Sequence, residues 1–328
     1  MRVEDFADGM GGKLNEKNLT QTQSMLEIAK LYYLDKLSQN EIAERLGIGR
    51  SSVSRMLTRA METGVVQITI NSSDSIHLEL AHRIAKQYGL HDVMIVNSHS
   101  EQERTYRKAG EVLAEYLMNH IQRGTILGVS RGRINYYASR TIHNTRGVSV
   151  DVVQLMGCTV NTSPKLDSYM LTDAFASRLN GVGYVMPVPL MAKSRYIRDA
   201  LLLDPLCKNV IEKYPQINVA VMDIHSLRVN LSLEFKESWL SKADAMQLRD
   251  IGAVGSTCGY YFNRKGMPCN VGINDRLIAI DREQLYGIPI RIGAAIGANM
   301  LDALLAVLRS GLLNVLVVDE ALAFELDV

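Results

Sequence analysis

The chain has 328 residues, a formal net charge of +1 and a hydrophobic content of 47%. This length predicts about two globular domains, and the composition excludes a largely disordered protein. The near-neutral charge also excludes binding to nucleic acid through overall positive charge, so any such contact must use a local basic patch. No apolar run is long enough to span a bilayer, the N-terminus lacks a signal-peptide pattern, and the four cysteines form no CxxC pair. We therefore expect a cytoplasmic protein with no membrane partner, no cofactor and no metal site.

The chain divides into three parts. Residues 1–22 are polar and without periodicity, which predicts a mobile tail. Residues 23–71 predict a compact helical unit that ends in a strand at 65–70. The polar loop 71–75 marks a boundary, and residues 76–328 form a second, larger domain.

The first domain carries the pattern of a winged helix-turn-helix. Ser38 and Glu41 match a capping box that opens a helix, and Gly47 ends this helix. After a short turn, Arg50 begins a further helix with an apolar inward side and an outward side of arginines and small hydroxyl residues. Such side chains bind phosphates and base edges in a DNA groove, which predicts that this helix reads DNA. The alternative is a surface helical hairpin whose arginines are only solvated. The candidate DNA-binding residues are Ser38, Gln39, Arg50, Ser51, Ser52, Ser54, Arg55 and Arg59.

The second domain alternates short apolar strands with helices, which predicts an α/β fold with a doubly wound, mainly parallel sheet. In such folds ligands bind outside the carboxyl ends of the strands. Helices are predicted at 102–122, 173–180 and 299–309. The predicted strands are 93–96, 125–129, 148–155, 182–186, 219–222, 277–280, 288–292 and 314–318.

Both domains resemble one protein family. Residues 37–48 and 52–57 are similar to the DNA-binding domain of the SorC family, the DeoR-like sugar-responsive transcriptional regulators of bacteria. The resemblance implies double-stranded operator DNA as a partner, a sugar phosphate or related anionic metabolite as effector, and a homo-oligomer, commonly a tetramer. It also implies that the second domain shares the fold of sugar-phosphate isomerases and deaminases but acts as a sugar-binding sensor. The segments similar to the family's effector domain are 153–157, 187–190, 252–255, 273–276 and 308–320.

The resemblance places the first phosphate-binding loop at 128–133, where a strand runs into a helix. Backbone N–H groups and the positive end of the helix dipole favour an anion there. The sequence departs from the family pattern around this pocket: Arg131 replaces an aromatic residue and Met300 replaces a lysine. Asp223 and His225 stand where a Gly-Ile-Gly loop of the family has its two glycines. The candidate effector-binding residues are Ser130, Arg131, Gly132, Arg133, Gly157, Asp223, His225, Ser256 and Met300.

These departures leave two accounts of the pocket. In the first, Arg131 compensates for the lysine that is absent at position 300, and a different anionic metabolite binds. In the second, Asp223, His225 and Ile296 fill the cavity, and the protein responds to no small molecule. A third hypothesis is a sugar-phosphate isomerase or deaminase, but the sequence lacks a coherent set of acid and base residues at loop ends.

Overall fold

The computed structural model describes residues 24–35, 37–63, 65–66, 73–144, 147–159, 163–227 and 240–327. The chain forms two compact units, Met1–Ser72 and Ser73–Val328. The tail predicted at 1–22 and positions 67–70 of the predicted wing strand lie outside the described residues. Residues 65–66 form a bend.

The described residues of the first unit form three helices. Helix α1 covers residues 24–29 and continues as the π-helical segment Lys30–Leu34, α2 is Gln39–Leu46, and α3 is Arg50–Glu62. Both hydrogen bonds of the predicted capping box are present at Ser38, and Gly47 adopts a left-handed conformation (φ 64°) that ends α2. The helices enclose a small apolar core formed by Ile28, Leu31, Ile42, Val53 and Leu57.

In the described part of the second unit, seven strands form one parallel sheet. These strands are β1 Asp92–Val96, β2 Ile126–Val129, β3 Asp151–Gln154, β4 Gly183–Tyr184, β5 Val219–Asp223, β9 Ile290–Ala295 and β10 Val315–Asp319. Their order in the sheet is β1-β10-β9-β5-β2-β3-β4, which confirms the predicted doubly wound α/β fold.

Helices cover both faces of this sheet, and their buried sides form two apolar clusters with it. The described helices are α4 Ser73–Tyr88, α5 Gln102–His120, α6 Arg133–Thr141, α7 Ser168–Arg178, α8 Arg195–Leu202, α9 Pro205–Ile211, α10 Lys242–Asp250, α11 Arg282–Gly287, α12 Leu301–Arg309 and α13 Glu320–Leu326.

A second, antiparallel sheet was not predicted. It consists of β6 His225–Ser226, β7 Ala253–Thr257 and β8 Tyr260–Asn263. At Gly255 the strand β7 lies so close to α12 that a Cβ atom there would be 2.7 Å from the Cα of Ala303. This contact helps to explain why α12 is so apolar, since its inward side is buried.

Two local predictions were wrong. Residues 277–280 do not form a strand, because Leu277 bridges Met191 while Ala279 bridges Met156, and no continuous ladder develops. Residues 73–75 of the predicted loop 71–75 belong to α4, which begins at Ser73.

Candidate DNA interface and effector site

Helix α3 separates a buried face from an exposed one. Val53, Leu57 and Ala60 are buried in the helical core, as the sequence predicted. The candidate DNA-binding residues of this helix lie on the other face: Arg50, Ser51, Ser54, Arg55 and Arg59 are exposed, and Ser52 is half-buried. The Nε atom of Arg55 donates to the carbonyl oxygen of Ser51 at 3.3 Å, which holds the guanidinium along the helix.

At the start of α2, the side chains of Ser38 and Glu41 accept hydrogen bonds from backbone N–H groups. The Glu41 N–H donates to the Ser38 hydroxyl, and the Ser38 N–H donates to the Glu41 carboxylate at 2.7 Å. The hydrogen bond from the Ser38 backbone lowers the pKa of Glu41. Because the N–H of Ser38 is engaged in this way, we expect a phosphate at this helix end to meet the N–H of Gln39 instead.

The candidate effector residues gather where the sheet changes direction. The chain runs outward from β2 through β3 to β4, returns to β5 beside β2, and then runs the other way through β9 to β10. In a doubly wound sheet this switch point is where a crevice forms at the carboxyl ends of the strands. Here those ends carry Ser130 and Asp223, and we call this place the β2–β5 corner.

The loop between β2 and α6 is tied to the rest of the corner by hydrogen bonds. The Ser130 N–H donates to the carbonyl of Val221 at 3.0 Å, and the Gly132 N–H donates to the carbonyl of Leu166 at 3.1 Å. The Ser130 hydroxyl accepts the N–H of Asp223 at 3.2 Å. Two of the N–H groups that were expected to face an anion are therefore engaged within the protein.

The carboxylate of Asp223 lies at the N-terminus of α6. Its Oδ2 atom accepts the N–H of Ile134 at 3.4 Å, and the N–H of Arg133 also hydrogen-bonds to this carboxylate. Asp223 is only 7% exposed, and burial raises its pKa to about 7 although these N–H groups and the charges of Arg131 and Arg133 lower it. Its Oδ1 atom is buried and has no hydrogen-bond partner among the described residues.

His225 and Arg133 are two further predicted residues of this region. His225 pairs with Ser256 across β6 and β7, and burial, with a further contribution from Arg131, lowers the pKa of His225 to about 3. The imidazole is therefore neutral. Arg133 points away to the surface, where its guanidinium lies 3.4 Å from the carboxylate of Glu103 and 4.6 Å from the ring centre of Tyr106.

Gly157 lies in a tightly packed segment. A Cβ atom at this position would be 2.7 Å from the carbonyl oxygen of Pro189, so close packing explains the glycine. The Gly157 N–H donates a hydrogen bond to the carbonyl oxygen of Ile278.

Met300 is buried at the end of the loop that follows β9. The same loop is anchored by Asp319, a residue that the sequence reasoning missed: its carboxylate accepts from the Gly297 N–H and from the Ser98 hydroxyl, both at 2.9 Å. A carboxylate at the carboxyl end of an apolar strand is the signal that Asp319 shares with Asp223.

Among the residues that the structure describes, no group of three or more His, Cys, Asp or Glu side chains is arranged to hold a metal ion. No helix in the described part of the chain has the length and apolar character needed to cross a membrane.

Each of the two units matches a known protein family. Residues 74–326 match the family described as "Putative sugar-binding domain". The chain belongs to this family. Residues 22–63 match region 4 of the sigma-70 factors, which agrees with the helix-turn-helix predicted for the first unit.

Relatives of this sugar-binding-domain protein are transcriptional regulators. The deoxyribonucleoside regulator of Bacillus subtilis (strain 168) is 28% identical over 91% of this chain and 95% of its own length. The transcriptional regulator LsrR of Escherichia coli (strain K12) is 28% identical over 94% of this chain and 95% of its own. The full-length sorbitol operon regulator SorC from Klebsiella pneumoniae has the same fold, with a TM-score of 0.82, 23% identity and coverage of 93% of this chain and 98% of that one. The resemblance to SorC-type regulators is confirmed, and the chain is a DNA-binding transcriptional regulator rather than an enzyme.

Proposed function

We propose that this regulator binds operator DNA through the exposed face of α3 and controls a carbohydrate-related operon in the cytoplasm. The observation that carries the proposal is the outward row of arginine and serine side chains on α3, above a buried helix-turn-helix core. The second unit then acts as the sensor, with a small carbohydrate-derived metabolite bound at the β2–β5 corner. The sugar-binding-domain relatives support this division of roles.

The arginines of α3 have different expected roles. The N-terminal part of a recognition helix enters the major groove, so we expect Arg50, Ser51, Ser52 and Arg55 nearest to the bases. Arg55 and Arg59 lie one turn apart, and Arg59 is farther along the helix, so we expect Arg59 to meet the DNA backbone. A bidentate contact to guanine gives sequence preference, whereas a phosphate contact gives affinity that depends on salt.

The test is fluorescence anisotropy with the DNA upstream of the regulator's own gene. Arg55→Ala should cost ~1–3 kcal/mol of binding free energy and relax the preference at one base position. Arg59→Ala should weaken binding to all sequences and reduce the salt slope by about one unit. Arg249→Ala serves as the matched control, because Arg249 is an exposed arginine of the sensor unit. Unchanged affinity in both α3 variants would refute the assignment of α3 as the recognition helix.

We also propose that the regulator is a homo-oligomer, a dimer or a tetramer. One helix-turn-helix reads one half-site, and useful selectivity needs two. Helices α8 and α9 and the link between them expose apolar side chains that suit a contact between copies: Tyr196, Ile197, Leu203 and Leu206. Light scattering at micromolar concentration should give at least a dimer, and a monomeric mass would contradict this proposal.

The sensor role is tested by a thermal-shift screen with free and phosphorylated sugars. A ligand that binds only the folded protein raises its apparent stability. The same compounds are then added to the regulator–DNA complex, where an effector should change the affinity for DNA. Normal DNA binding with a flat screen would support the alternative that the regulator acts without a small molecule.

A further inference from the structure

We propose that Asp223 is a specificity-determining residue that takes the place of a phosphate at the N-terminus of α6, so that the effector meets the β2–β5 corner through hydroxyl groups and carries no phosphate there. This inference rests on the proposed sensor function of the second unit. It narrows the effector to sugars or sugar derivatives whose group at α6 is a hydrogen-bond donor.

The side chain of Asp223 occupies the space at the start of α6. An ideal Cβ atom built on Gly132 would be 2.0 Å from both Cγ and Oδ2 of Asp223. The carboxylate therefore lies directly against the backbone that leads into α6. A phosphate needs this same space to reach the N–H groups of the first turn, and the position is occupied as long as Asp223 keeps its conformation.

Asp223 already satisfies the N-terminus of α6 electrostatically. The N–H groups of Arg133 and Ile134 hydrogen-bond to its carboxyl group, so the donors that favour an anion at this helix end are already in use. The charges of Arg131 and Arg133 also act on Asp223. When Asp223 is ionised, above about pH 7, a second anion at this point would add like-charge repulsion in a buried setting, where charges are weakly screened.

The remaining oxygen of the Asp223 side chain, Oδ1, lacks a hydrogen-bond donor. Oδ1 is buried, the whole residue is only 7% exposed, and no donor reaches this atom in the part of the chain that the structure describes. A buried carboxylate oxygen without a donor is costly, and a ligand that supplies one removes this cost. A hydroxyl group of a sugar is such a donor, whereas a fully ionised phosphate monoester has only acceptors to offer.

The experiment uses the full-length regulator and two variants of this residue. Asp223→Gly opens the space at α6, while Asp223→Asn keeps it filled by a side chain of nearly the same volume. Each protein is titrated with inorganic phosphate, and binding is followed by calorimetry and thermal shift. We expect no saturable binding in wild type or Asp223→Asn, and binding at least roughly tenfold tighter in Asp223→Gly. Addition of Arg131→Met to Asp223→Gly should weaken the new site, because it removes the nearby cation.

Three results would overturn the inference. The first is saturable phosphate binding by wild type, and the second is a folded Asp223→Gly variant that remains unable to bind phosphate. The third is a sugar phosphate that stabilises wild type more than the matched free sugar does. Circular dichroism checks the fold of each variant, and Asp223→Ser replaces Asp223→Gly if the glycine variant is unfolded. Anisotropy with operator DNA is measured in parallel, so a failure of DNA recognition is distinguished from a failure of this inference.

Discussion

The buried carboxylate of Asp223 predicts that Asp223→Asn stabilises the sensor unit more at high pH than at low pH. Burial raises the pKa of this group from 3.8 to about 7, although hydrogen bonds from the backbone of Ile134 and Arg133 and the positive charges of Arg131 and Arg133 oppose the shift. The folded protein then keeps its proton at pH values where the unfolded chain has lost it. The free energy of unfolding of wild type therefore falls as the pH rises from about 4 to about 7, and stays low above that.

The size of this effect follows from the two pKa values. One pKa unit corresponds to about 1.4 kcal/mol, so the free energy of unfolding of wild type falls below its low-pH value by about 1.7 kcal/mol at pH 5 and by about 4 kcal/mol at pH 8. Asparagine has no proton to lose. The free energy of unfolding of Asp223→Asn relative to wild type should therefore rise by about 2–3 kcal/mol between these pH values. His225, with its pKa lowered to about 3, makes the folded state less stable as the pH falls below about 6.5, but it is present in both proteins and largely cancels in the difference.

The assay is urea unfolding of the full-length protein at pH 5 and pH 8. Far-UV circular dichroism monitors the unfolding, and the free energy is taken from the transition of the sensor unit. Asp250→Asn is the control, because the side chain of Asp250 is 71% exposed and should leave the pH dependence unchanged. A difference between Asp223→Asn and wild type that is the same at both pH values would refute the argument that burial raises the pKa of Asp223.

Three further substitutions test other parts of the structure by thermal and urea unfolding. Leu57→Ala should destabilise the helix-turn-helix unit by ~2–5 kcal/mol, because Leu57 is 4% exposed in its core; DNA affinity should fall while the sensor transition stays in place. Ser38→Ala removes the hydroxyl that accepts the N–H of Glu41 and should cost ~0.5–2 kcal/mol, and a neutral result would mean that the cap does not stabilise α2. Gly132→Ala should strongly destabilise the sensor unit because its Cβ would overlap Asp223, and adding Asp223→Gly should restore stability; failure of this rescue would contradict the packing described here.

Local signals explain what the sequence could predict. The start of α2 depends on Ser38 and Glu41, three residues apart, and its end depends on Gly47, so short motifs determine both boundaries. The parallel sheet was predictable because its buried strands are continuous apolar runs, as in β5 and β10. The antiparallel sheet was missed because β6 has only two residues and its partner β7 lacks a run of apolar side chains.

The role of Asp223 could not be predicted for a different reason. The sequence marked the residue as a departure from the family pattern, and left open whether it fills the pocket. Its contact with Ile134 joins residues that are 89 positions apart in the chain. Which atoms of two such distant segments come into contact depends on the register of β5 against β2 and on the direction in which each strand ends. The hydrophobic pattern and the spacing of motifs in the sequence specify neither.

The order of the strands also has a consequence for how this protein is made. Strand β10 lies between β1 and β9, and β1 has β10 as its neighbour in the sheet. During synthesis, β1 leaves the ribosome more than two hundred residues before its partner, since Asp92 pairs with Val315. The helix-turn-helix unit can form early, because its contacts join residues that are close in the sequence. The sheet is completed only when β10 has emerged. We therefore expect nascent sensor domains to expose the edges of β1 and β9 and to need protection from aggregation until translation reaches this last strand.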